Sequence, residues 1–246
     1  MFSSPEFRCS ARDGFTLLEM VAVMVMVVVL ASLLIPVFRH VLDKAGTVKC
    51  SENLRQIASA ALAWASENNG RLPDKSRWYS TSAGDAYSLL PYLGISGDGQ
   101  KISQECVLTC PVFNRKYPTT HSPIRTYSIN RYAVGSDVND EKEWQKILNN
   151  DSPTRLQRVA QPSRTVFFMD GKPHEGNLSG ASPSASYRSY AAPDSIGPTV
   201  TPHLHDGGLN AAFFDGHVER ISTAWIEDQQ LTATSSRTNV FWGAGK

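Results

Sequence analysis

From Met20 to Phe38 the chain runs for 19 residues without a charge. As an α-helix this run rises about 28 Å, close to the hydrocarbon thickness of a bilayer. Three forms suit such a run: a buried core helix, a secretory signal peptide or a retained membrane span. Soluble domains seldom need so many uncharged residues in a row. A signal peptide would use Arg8 and Arg12 as its basic region. However, the run is longer than a typical signal core, Glu19 interrupts its start, and the nearest small-residue cleavage pattern, Ala31-Ser32-Leu33, lies inside it. That leaves a retained span with a processing site in front of it. Glu19 stands at the mouth of the span, where a carboxylate is costly in lipid and so points to a function.

The stretch Gly14-Phe15-Thr16-Leu17-Leu18-Glu19 resembles the cleavage and methylation site of type IV pilins and type II secretion pseudopilins. The resemblance implies that a prepilin peptidase cuts after Gly14 and that the new N-terminal Phe15 is N-methylated. The family's glutamate falls on Glu19, the fifth residue of the cut chain, and its helix-bending proline falls on Pro36. Asp13 stands where the family often carries a basic residue. The resemblance also implies that residues 1–14 are a cytoplasmic leader and that the remainder lies outside the inner membrane.

The 246 residues allow one or two domains, and removal of 14 leaves 232 for one anchored helix and one globular core. Net charge is +1, and it stays +1 after cleavage because Arg8 and Arg12 leave together with Glu6 and Asp13. No basic block is present, so nucleic acid is not an expected partner. Of four cysteines, Cys9 leaves with the leader. Three remain, an odd number outside the cytoplasm. Cys106 and Cys110 are close enough in sequence for a local disulfide if a turn joins them; two free thiols are the alternative. Zinc at this pair would need two more ligands, and there is no second cysteine pair to supply them. Cys50 is then the unpaired thiol, on a helix face.

Beyond the span, Leu54, Ile57, Ala58, Ala61, Leu62 and Ala65 form a one-sided helical stripe, and Asn68-Asn69-Gly70 with Pro73 stops it. The expected organisation is a leader over 1–14, a long helix over 15–70 with its span at about 15–38, and a globular domain over 71–246. Pro36 and Gly46 are the expected bends. In the globular part, Tyr87–Gly94 reads as a short helical turn and Ser96–Gly99 as a turn. Tyr127–Asn130, Tyr132–Val134 and Arg164–Gly171 read as strands, and Glu141–Asn149 as a short helix. Pro173–Pro202, rich in Ser, Gly, Ala and Pro, reads as a long exposed loop. Leu209–Phe214 and His217–Ile221 flank Asp215-Gly216 as a hairpin.

His205, nine intervening residues and then Asp215-Gly216 resemble the C-terminal signature of a large pilin-like family with prepilin-type processing. Tyr127-Ser128-Ile129-Asn130 and Phe168-Met169-Asp170-Gly171 also resemble segments of that family, as Cys50-x-x-Asn53-Leu54-Arg55-Gln56-Ile57 resembles pseudopilin sequence. The implied fold is α+β, a long helix packed on a small antiparallel sheet.

For chemistry, His203-x-His205 suggests a metallo-hydrolase motif, but Gly207 and Gly208 stand where Asp and His would be needed. No nucleophile elbow, phosphate loop or dinucleotide fingerprint is present. The chain is therefore not expected to be an enzyme, and no organic cofactor is expected. Some pseudopilins bind calcium in a C-terminal loop, and Asp170, Asp206 and Asp215 are oxygen donors of the right kind for Ca2+. The expected function is a structural subunit, with like subunits, a prepilin peptidase, an assembly platform and the membrane as partners. The alternatives are a membrane-anchored extracytoplasmic binding module and an anchored metal-dependent hydrolase.

Overall fold

The computed structural model describes residues 15–75, 77–82, 84–95, 106–112, 125–130, 134, 155–170, 190–191, 205, 207–229, 231 and 239–242. Among the sequence expectations, Gly14, Asp206, the turn at 96–99, the strand around 132 and the helix over 141–149 fall outside these residues. The first helix, α1, covers Leu17–Glu67, close to the expected limits. Pro36 and Gly46 both lie inside it. Contacts divide the chain into two units, Met1–Leu42 and Asp43–Lys246. The outer part of α1, from Asp43 on, therefore groups with the globular unit by its contacts.

In the first unit, Leu17–Ile35 is the one described helical stretch long and apolar enough to cross a membrane. Its large side chains are exposed, among them Leu17, Met24, Val28 and Leu33. Water would not tolerate such a surface, and lipid would.

In the second unit, α1 buries Cys50, Asn53, Leu54, Ile57, Ala58, Ala61, Trp64 and Ala65. The spacing of three and four keeps these on one face. Leu62 is only partly buried, while Val41 in the first unit and Val48 in this one are exposed. The helix closes at Asn69 and Gly70, both with positive φ, where the Gly70 N–H donates to the Ala65 carbonyl at 2.8 Å. This left-handed closure satisfies a terminal carbonyl. A side chain at Gly70 would collide with Gln157.

The sheet contains β1 (Tyr127–Asn130), β2 (Val166–Asp170), β3 (Tyr190–Ala191), β4 (Gly208–Phe213) and β5 (Val218–Ser222), in the order β3-β1-β2-β4-β5. Four strands are antiparallel neighbours, as expected. β3 adds a correction, since it pairs with β1 in parallel and lies within the 173–202 segment read as loop. Two residues carry too little pattern to register as a strand.

Both faces of the sheet are covered. On one, Tyr127, Ile129, Phe167, Phe168, Ala212 and Phe214 share a core with α1, Trp78 and Leu89. On the other, Val166, Met169, Leu209, Ala211, Phe213 and Ile221 pack with Ile226 of α2 (Thr223–Asp228), Leu231, Phe241 and Trp242. A register shift between Val166 and Phe168 puts Phe167 and Phe168 in the same core, as a β-bulge does. Phe167 then stacks on Phe214 at 4.1 Å, and Trp78 meets Phe168 edge-on at 5.2 Å.

The expected Cys106–Cys110 disulfide does not form. Cys110 is bonded to Cys50, with Cα atoms 5.2 Å apart, and Cys106 is free. Cys50 lies on the buried face of α1, in phase with Leu54 and Ile57, and so faces the segment that carries Cys110.

Candidate functional site

Two places hold the residues singled out by sequence, one in each unit. In the first, Thr16 precedes α1 and Glu19 sits in its first turn. The Glu19 carboxylate accepts from the Thr16 N–H at 2.8 Å and from the Thr16 hydroxyl at 2.9 Å. The Glu19 N–H donates back to Thr16 Oγ1 at 3.3 Å. Thr16-x-x-Glu19 is thus a reciprocal capping box, a helix-start signature that the run itself contains. It gives the lone carboxylate a local partner and satisfies donors that begin the helix.

In the second unit, a buried polar cluster joins α1, the 106–112 segment, three strands and His205. The His205 and Asp170 side chains are both 0% exposed, with Nε2 and Oδ2 3.2 Å apart. Asp170 Oδ2 also accepts from the Asn210 backbone N–H at 2.7 Å, because the β2–β4 register sets Asp170 beside Asn210. His205 Nε2 lies 3.6 Å from Cys110 Sγ, and Nδ1 lies 3.1 Å from Thr47 Oγ1. The Thr47 hydroxyl donates its single proton to the Asp43 carbonyl at 2.9 Å. Nδ1 must therefore carry a hydrogen and donate to Thr47. Arg220 donates to the His205 carbonyl, which ties this residue to β5.

Nearby, Asn53 on α1 donates to the Thr109 carbonyl at 3.1 Å and to the Tyr127 hydroxyl at 3.3 Å. Tyr127 donates in turn to the Cys50 carbonyl at 3.4 Å. Full burial, with the Asp170 charge adding to it, pushes the Tyr127 phenol well above its usual range and keeps it a donor. The Cys110 N–H donates to Thr126 Oγ1 at 2.6 Å. Among the described residues, Asp170 Oδ1, Asn53 Oδ1 and both side-chain polar atoms of Asn210 are buried without a hydrogen-bond partner.

Residues from segments singled out in the sequence thus converge here: Cys50 and Asn53 on α1, Tyr127 on β1, Asp170 on β2, and His205. The signature's other half lies elsewhere. Asp215 and Gly216 form the β4–β5 turn, where Gly216 has φ 89° and donates to the Phe213 carbonyl at 2.9 Å. Asp215 Oδ1 accepts from the His217 N–H at 3.1 Å and meets His217 Nδ1 at 2.5 Å. Burial pushes the Asp215 carboxyl up, but its bonds with His217 outweigh that and hold it below the usual range.

The expected calcium donors are not brought together. Val166 pairs with Phe213 and Met169 with Ala211, so Asp170 and Asp215 lie at opposite ends of the β2–β4 ladder. At about 3.3 Å per residue, that separation is far too long for one ion. Asp206 is outside the described residues.

The Cys110–His205–Asp170 contact does not form a nucleophile relay. A relay needs the sulfur and the carboxylate on different ring nitrogens. Here both approach Nε2, Nδ1 serves Thr47, and the sulfur is in a disulfide.

Sequence reasoning missed Cys50 as the disulfide partner and Thr47 and Asn210 as supports of the cluster. For Cys50 the available signal was its phase with the buried stripe. No protein-family model, curated protein or solved structure matches this chain.

Proposed function

We propose that the chain is a pilin-like subunit, cut after Gly14 by a prepilin peptidase, methylated at Phe15 and assembled through its apolar helix into a type IV pilus or type II secretion pseudopilus. The observation that carries this reading is the exposed, uncharged Leu17–Ile35 helix that begins with the Thr16–Glu19 capping box, directly after Gly14-Phe15. The inner membrane holds the subunit before assembly, with residues 43–246 on the extracytoplasmic side. The Cys50–Cys110 disulfide supports that orientation, because such bonds persist in oxidising compartments.

In this reading Glu19 exchanges partners. In the single subunit its carboxylate is satisfied by Thr16. In a filament the ammonium of a neighbour's cut Phe15 offers an opposite charge in low dielectric, where an unpaired carboxylate would be costly. That pairing sets the register between subunits, and a docked assembly platform supplies the subunits in turn.

Mass spectrometry of the membrane-extracted chain tests the processing step. The expected N-terminus is N-methylated Phe15, and an intact leader or a different cut contradicts it. Glu19→Ala tests the assembly step: it should still insert in the membrane and yield few filaments. A normal filament yield would remove Glu19 from the proposal.

A further inference from the structure

Cys50, Cys110 and His205 offer three ligand atoms that all lie within 4.8 Å of one another, and all three residues are buried. Asp170 Oδ2 lies 3.2 Å from His205 Nε2, beside this group and outside it. We propose that, once the Cys50–Cys110 disulfide is reduced, the chain binds one zinc ion through Cys50, Cys110 and His205, with water in the fourth position.

The distances fit this ion. A zinc tetrahedron with Zn–S about 2.3 Å and Zn–N about 2.0 Å has an S–N edge of about 3.5 Å. The Cys110 Sγ to His205 Nε2 separation is 3.6 Å. The S–N edge of the tetrahedron is therefore already in place. The S–S edge is short only because the sulfurs are bonded, and two thiolates move apart to the longer edge that a metal spans.

The surroundings are those of a metal ligand as well. A ligating histidine generally donates its other ring N–H to a fixed acceptor, which sets the tautomer. His205 does this at Nδ1, toward Thr47, whose own proton is committed to the Asp43 carbonyl. Nε2 is then the coordinating atom. Two thiolates and an imidazole favour zinc over the harder ions.

The chemistry balances. A phosphine reductant supplies two electrons, takes oxygen from water and leaves two thiols in place of the S–S bond. Zinc then binds the two thiolates and releases the two thiol protons. The same cysteines cannot serve a disulfide and a metal together, so oxidation and metal loading exclude one another. Either link ties α1 to the 106–112 segment; the metal would add His205.

The test uses the full chain in detergent, reduced with tris(2-carboxyethyl)phosphine or left oxidised, and titrated with Zn2+ alone. One equivalent should bind to the reduced chain and none to the oxidised chain. Cys106→Ser should leave the stoichiometry unchanged, and His205→Ala should lower affinity at least about tenfold. Co2+ on the reduced wild-type chain gives a readout that needs no variant. Intense tetrahedral visible bands with sulfur-to-cobalt charge transfer are expected. No binding by the reduced chain, weak octahedral Co2+ bands, or binding that survives His205→Ala and is lost in Cys106→Ser would each overturn the site.

Discussion

His205 Nε2 faces Asp170 Oδ2 across 3.2 Å, with both side chains sealed from solvent. The pair joins the residue that opens the C-terminal signature to the end of β2. A buried polar pair of this kind is weak evidence of net stabilisation, yet removing one partner strands the other. Asp170→Ala and His205→Ala are each expected to cost about 3 kcal/mol or more. The double variant should cost clearly less than the sum, with a coupling of about 1–3 kcal/mol. Urea denaturation of the detergent-solubilised chain measures all three. Additive losses would show that the two residues do not act as a pair.

The disulfide links positions separated by 60 residues. Closing a loop of that size restricts the unfolded chain by about 4 kcal/mol on the chain-entropy scale. Cys50→Ser and Cys110→Ser should both show a loss of that order, and Cys106→Ser should lose less than about 1 kcal/mol. Non-reducing peptide maps should recover a Cys50–Cys110 cross-link, with Cys106 as the alkylated thiol. Burial pushes the Cys106 thiol up, so its alkylation in the folded chain should be slow at neutral pH. A Cys106–Cys110 cross-link in the map would contradict the fold around α1.

What the sequence discloses depends on how local the physical signal is. The stripe Leu54, Ile57, Ala58, Ala61 and Ala65 repeats at the helical period, so its burial is legible before any tertiary contact is known. The β4–β5 hairpin is legible for the same reason, through Asp215-Gly216. Cys106 and Cys110 mislead because short spacing is the only pairing cue available in sequence. The true partner, Cys50, is 60 residues away on a different element. Asp170 and Asp215 mislead likewise: each follows a Phe-rich stretch, but antiparallel register sends the two apart. The meeting of His205 with Asp170 and Cys110 is tertiary, and no periodicity announces it.

Asp85 carries a testable pH dependence. Its carboxylate accepts from Arg77 Nε at 3.1 Å, from Arg77 Nη2 at 2.9 Å and from the Tyr87 N–H at 3.0 Å. Burial pushes the carboxyl up, but the hydrogen bonds from Ser80, Tyr87 and Arg77, with the charge of Arg77, hold it below its usual range. A carboxyl whose folded value lies below its unfolded value, about 3.9, stabilises the fold above that pH. The contribution is lost as pH falls through the folded value. The Arg77 side chain is 40% exposed, so solvent screens its share, which should be about 1 kcal/mol or less. Arg77→Met keeps an aliphatic stem beside the Tyr87 ring, over which the guanidinium lies at 4.7 Å, and removes the charge. The variant should therefore be less stable than wild type at pH 7, and the gap should narrow below about pH 4 as Asp85 protonates in both chains. Urea midpoints at pH 7 and pH 3 measure the gap. An equal gap at both values would assign the role of Arg77 to packing on Tyr87 and not to its charge on Asp85.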